Sequence, residues 1–207
     1  MKLLIRGLVV PGILFTCFTF VLAQDGASKK VVEQTARGGV TTLYALDPLS
    51  QSFCFRDGGN GHAFQQHEVR NRCSDINYNS YYAEQFSVGI EGNRLGAIVD
   101  IGTGEDLKKE YGYDETVGGG QGFASLHLED GKVVILKNRG ARMMQDLTEA
   151  MQLFEQPTSA AKAPVKVGHV YLARITDGND SSSQTIVKLL VIGHVPGESV
   201  TFRWQSL

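Results

Sequence analysis

The sequence predicts a mainly β protein of the α+β class: antiparallel hairpins closed into a sandwich or barrel, with one amphipathic helix around residues 141–156. Three observations predict it. Short apolar runs alternate with polar residues at a period of two, glycine-centred turn dipeptides separate these runs, and a single long stretch carries helical spacing.

At the N-terminus Lys2 and Arg6 precede an apolar run from Gly7 to Leu22, and Val21 and Ala23 form a small-residue site before Gln24. This is the plan of a secretory signal peptide, residues 1–23, cleaved between Ala23 and Gln24. The run is short for a membrane span, which needs about 20 residues, and Pro11 interrupts it. The expected destination is secreted or periplasmic, with no membrane attachment after cleavage. Loss of Lys2 and Arg6 leaves 18 basic against 22 acidic side chains, moving the net charge from −2 to −4. Without basic clusters the chain has no electrostatic footprint for nucleic acid. Its 42% apolar content supports a real core.

Cys17 leaves with the signal peptide, so Cys54 and Cys73 remain. In an oxidising compartment two such cysteines pair. Closing that loop is worth about 3 kcal/mol in the chain-entropy picture.

Residues 24–39 read as a flexible leader, and 40–156 as an antiparallel β domain ending in a helix. TTLYALDPLSQSFCF gives two strands about an Asp47-Pro48 turn. FSVGIEGNRLGAIVDIG reads as a hairpin with Gly92-Asn93 at its tip, pairing Ile90 with Leu95, Val88 with Ala97 and Phe86 with Val99. FASLHLEDGKVVILK repeats the device about Asp130-Gly131, with Leu128 facing Val133, Leu126 facing Ile135 and His127 beside Val134. Between these hairpins lies a charged, then glycine-rich loop holding one helical turn near Asp106–Tyr111.

In the expected helix, Met143, Leu147, Ala150, Met151 and Phe154 form a core-facing stripe, and Pro157 ends it. Residues 157–167 are a linker by composition. Residues 168–207 give a three-stranded meander packing on the rest, its first connection TDGNDSSS and its second a Pro196-Gly197 turn. In the last strand Val200, Phe202 and Trp204 alternate with Thr201, Arg203 and Gln205, one face buried and one wet.

The chemistry-bearing motifs are thin. IVDIGTGEDL and GGGQG lack the crossover or the Gly-Lys-Ser/Thr ending that nucleotide sites need, so no cofactor is expected. His62, His67 and Glu68 fit no zinc spacing, and no metal site is assigned. No nucleophile motif is present and no catalytic residue is assigned. Asn179-Asp180-Ser181 is a glycosylation sequon. The richest segment is SDINYNSYYAEQF, where Tyr78, Tyr81 and Tyr82 stand among Asp75 and Asn77. Rigid aromatic surface beside adjustable polar groups suits sugars and peptides. These residues, with His62 and His67 of the neighbouring cysteine loop, form the candidate binding surface.

The leading expectation is an exported non-enzymatic binding module with an unknown protein or carbohydrate partner. One alternative is a secreted hydrolase acting on polysaccharide or peptide, with acids from Asp100, Glu105, Asp106, Asp114 and Glu115 and a histidine from the cysteine loop. Another is a structural envelope protein.

Overall fold

The apolar runs near the C-terminus build the centre of the molecule. A computed structural model describes residues 38–61, 74–78, 84–89, 94–112, 123–136, 144–155, 161–178 and 180–207, all within one unit, Gln34–Leu207. Strands β1 (Gly38–Tyr44), β6 (Arg94–Thr103), β11 (His169–Asp177), β12 (Asp180–Val195) and β13 (Ser199–Ser206) form a central sheet in the order β1-β13-β12-β11-β6. A second sheet, in the order β10-β5-β4-β2-β3, contains β2 (Ser52–Cys54), β3 (Gly59–Gly61), β4 (Ile76–Tyr78), β5 (Gln85–Val88) and β10 (Lys162–Pro164). A third takes β7 (Leu126–Glu129), β8 (Lys132–Leu136) and β9 (Met144–Asp146) in chain order. Helices α1 (Gly104–Tyr111) and α2 (Thr148–Glu155) complete the fold. Every strand pair is antiparallel. The chain is mainly β within the α+β class.

The central sheet has a core on each face, which explains why its strands are apolar at consecutive positions. Towards the second sheet point Tyr171, Ala173, Ile175, Val187, Leu189, Val191, Val200, Phe202 and Trp204, meeting Phe53, Phe55, Ile76, Tyr78 and Phe86. Edge-to-face ring pairs such as Phe53–Phe202 and Phe86–Tyr171 lock this layer. Towards the other side point Val170, Leu172, Ile186 and Leu190, covered by Leu107 and Tyr111 of α1, Leu126, Val133 and Ile135 of the small sheet, and Leu147, Ala150 and Leu153. That outer layer packs on β6, β11 and β12. Beyond it the wet face of β13 and its neighbour β1 carries Val40 and Tyr44, 62% and 48% exposed.

The Asp130-Gly131 hairpin forms in the expected register, with His127 opposite Val134 and Leu128 opposite Val133. Its turn residues have φ of 49° and 77°, the left-handed pair that a two-residue hairpin requires. The other expected hairpin does not form. β5 pairs with β4 and β10 in the second sheet, whereas β6 pairs with β11 in the central one. The two backbones cross at Gly89 and Gly96, where a Cβ on Gly89 would stand 2.2 Å from the Gly96 nitrogen. Only glycine fits so close an approach, and Gly89 also has φ +63°.

The C-terminal helix is shorter than expected. α2 begins at Thr148, and Met144–Asp146 instead form β9 against Leu136, Ile135 and Val134 of β8. Pairing the open edge of β8 outweighs a modest local helix preference. Leu147, Ala150 and Leu153 carry the buried stripe, with Phe154 half-buried; Met143 and the Met151 side chain lie outside the described residues.

α1 is two turns long where one was expected. Thr103 and Asp106 close a reciprocal capping box, and Gly112 ends the helix at φ 64°. Tyr111 donates to the Glu149 carboxylate and so ties α1 to α2; burial and that carboxylate push its hydroxyl up to about 12. The stretch read as a linker contains β10, whose Ala163, with Val165 just beyond it, joins the first core. The meander likewise shares its sheet with β1 and β6, and β12 already starts at Asp180, shortening the expected TDGNDSSS connection.

Candidate functional site

The segment expected to carry recognition faces inward where it is described. Asp75, Asn77 and Tyr78 are 2%, 1% and 0% exposed, so these three are packed structural groups and not a solvent-facing surface. The reason lies in the pairing of β4 between β2 and β5, which puts Ile76 and Tyr78 in the first core. Tyr78 Oη meets His194 Nε2 at 2.9 Å, and burial raises its pKa. Asn77 lies between Ser52 and Ser87 across three strands, and among the described residues neither of its amide atoms has a hydrogen-bond partner. Asp75 accepts from Phe55 N at 2.9 Å and from Arg94 Nη1 at 2.9 Å. Burial pushes this carboxylate above its ordinary value although Arg94 pulls it down. Tyr81, Tyr82, His62, His67, Cys73, Ala23 and Gln24 lie outside the described residues. Cys54 is buried at the end of β2.

Asp100 gathers a second cluster. It accepts from His169 Nδ1 at 2.8 Å, Lys166 Nζ at 3.0 Å and Gly102 N at 2.9 Å. Burial would raise its pKa, but these hydrogen bonds outweigh burial and hold it below the usual carboxylate value. Beside it the Tyr171 hydroxyl donates to Pro164 O at 2.8 Å and accepts from Lys166 N at 2.9 Å. A carboxylate-held histidine is the orienting half of a catalytic triad. Here, however, the cluster fastens the β10–β11 connection to β6, and the two grooves described below are lined by other residues. Among the described residues no group of three or more His, Cys, Asp or Glu side chains converges on a metal position.

Two grooves open at opposite ends of the β1–β13 pair. The first, of about 440 Å³, is lined by Tyr44, Leu46, Asp47, Gly197 and Glu198. Its β1–β2 turn is fastened by Asp47, which accepts from Leu49 N at 2.9 Å and Ser50 Oγ at 2.6 Å. The second, of about 370 Å³, is lined by Gly38, Gly39, Val40, Phe123, Arg203, Trp204 and Gln205.

The second groove concentrates the chemistry. Strand alternation puts Val200, Phe202 and Trp204 in the core, so Arg203 and Gln205 project from the other face, with Val40 opposite Arg203. The exposed Arg203 guanidinium sits 4.7 Å from the centroid of Phe123, and Lys188 Nζ lies 4.8 Å from the same ring. Lys188 is buried and donates to Leu126 O at 2.8 Å. Among the described residues no carboxylate pairs with Arg203. The wet-face position of Arg203 was legible from alternation. Its seat on Phe123, 80 positions earlier in the chain, was not, because no local pattern encodes that contact. No protein-family model matches this chain, and neither a curated protein nor a solved structure is similar to it.

Proposed function

We propose that this chain is an exported, non-enzymatic binding module that holds an extracellular ligand in the groove at the Gly38 end of β1–β13. One observation carries the reading: Arg203, exposed and seated on Phe123 without a carboxylate partner among the described residues, borders a groove of about 370 Å³. A ligand pocket of this size with a few convergent polar groups is the expected form of a small recognition site. Export rests on the basic start, apolar run and Ala23-Gln24 cleavage site of the sequence. A Cys54–Cys73 disulfide belongs to the same reading. Asp75 N donates to Phe53 O at 2.9 Å, which holds the chain two residues beyond Cys73 against the strand that ends in Cys54.

The test is an array of defined oligosaccharides and peptides, probed with the purified exported protein and with a Val40→Trp variant. Val40 is exposed, so the larger ring fills the groove without entering a core. Loss of array binding at unchanged Tm supports the groove as the site. Equal binding by both proteins refutes it. Intact mass of the secreted protein reads the remaining claims: a start at Gln24, and two hydrogens fewer than the reduced chain.

A further inference from the structure

Resting on that reading of the groove, we infer that its ligand is an acidic sugar, a uronate unit of an extracellular polysaccharide, whose carboxylate pairs with Arg203. Guanidinium presents a planar fork of N–H donors that matches a carboxylate in two parallel hydrogen bonds. Packing on Phe123 orients that fork in advance, so less side-chain freedom is lost when the ligand arrives. The buried Lys188 lies against the same ring and holds it from behind the groove. Among the described residues no acidic side chain lines it. The opposite groove has Asp47 and Glu198 in its wall, and would repel the same ligand.

The remaining lining favours a hydroxyl-rich body for that acid. Phe123 and Trp204 are 1% and 5% exposed, so neither offers a free ring face on which a neutral sugar could stack. The Gln205 amide and the main chain of Gly38 and Gly39 supply donors and acceptors instead. Such groups satisfy sugar hydroxyls and leave an apolar side chain unrewarded.

Trimers of galacturonate, glucuronate and mannuronate, with their neutral methyl esters, are titrated into the purified exported protein by calorimetry. At least one free acid is expected to bind, more weakly as the ester and more weakly as salt rises. Arg203→Gln is expected to cost about tenfold in affinity and Arg203→Lys less, because the charge survives and the fork does not. Tm of both variants guards against misfolding. If acid and ester bind alike and Val40→Trp abolishes both, the groove stands and the acidic-sugar inference falls. If Val40→Trp and Arg203→Gln leave every ligand unaffected, the groove reading falls as well. A polyglutamate peptide that binds through Arg203 while no uronate does would overturn the choice of sugar.

Discussion

Asp75 and Arg94 meet 2.9 Å apart with 2% and 9% of their side chains exposed. A buried charge that loses its partner is far more costly than the pair is favourable. Arg94→Met is therefore expected to lower unfolding free energy by about 3–5 kcal/mol, read from urea titration, and Arg94→Met with Asp75→Asn to recover part of it. Asp75 and the half-buried Asp100 also titrate in opposite senses. Asp75 is raised in the folded state, so its contribution is present at low pH and lost as pH rises through the folded value. Asp100 is lowered, so its contribution is present above the ordinary aspartate value and lost as pH falls through the folded one. Asp100→Asn should thus flatten the acid limb of the Tm profile between about pH 5 and pH 2. An acid limb identical to that of the wild type would show that the His169–Asp100–Lys166 cluster contributes little.

Among the elements, the crossing of β5 and β6 is the most demanding. Gly96→Ala and Gly89→Ala bring a methyl group against backbone at 2.8 and 2.2 Å, and each is expected to cost about 3 kcal/mol or more. Gly131→Ala is the control: its φ is +77° but nothing lies within 4 Å, so only the left-handed backbone penalty of about 1 kcal/mol applies. Equal losses at all three sites would refute the close crossing.

This element also marks where sequence reading stops. Phe86 and Val88 alternate correctly for a strand, and so do Ala97 and Val99. Yet the first pair faces one core and the second the other. Alternation reports that a strand has an apolar face without naming the core it enters. The Asp130-Gly131 hairpin was legible to the residue because its turn and its pairs are local. In the candidate site Arg203 was legible as a wet-face residue, whereas the inward turn of Asp75 and Asn77 was not. Polar residues beside tyrosines look alike whether they face water or a covered sheet.

On the scale of the molecule, one sheet serves two cores, and this couples the layers. Leu189 belongs to the first core and Leu190 to the second, adjacent on β12. Leu189→Ala and Leu190→Ala should each cost about 2–5 kcal/mol. Trp204, the single tryptophan, lies in the first core. Its fluorescence should nevertheless follow Leu190→Ala, with the midpoint seen by circular dichroism shifting equally. Separate midpoints would mean that the outer layer unfolds by itself.

β1, the first described strand, finds its partner in β13, the last, with Gly38 opposite Gln205 and Tyr44 opposite Ser199. A chain emerging from its N-terminus therefore carries β1 without its mate until the final strand follows. Val200, Phe202 and Trp204 arrive just as late, so the first core closes only once β13 is present. Long-range closure of this kind folds slowly. Order thus waits on β13, and a chain lacking Ser199–Ser206 would lose the strand that joins β1 to β12, the keystone of the sheet.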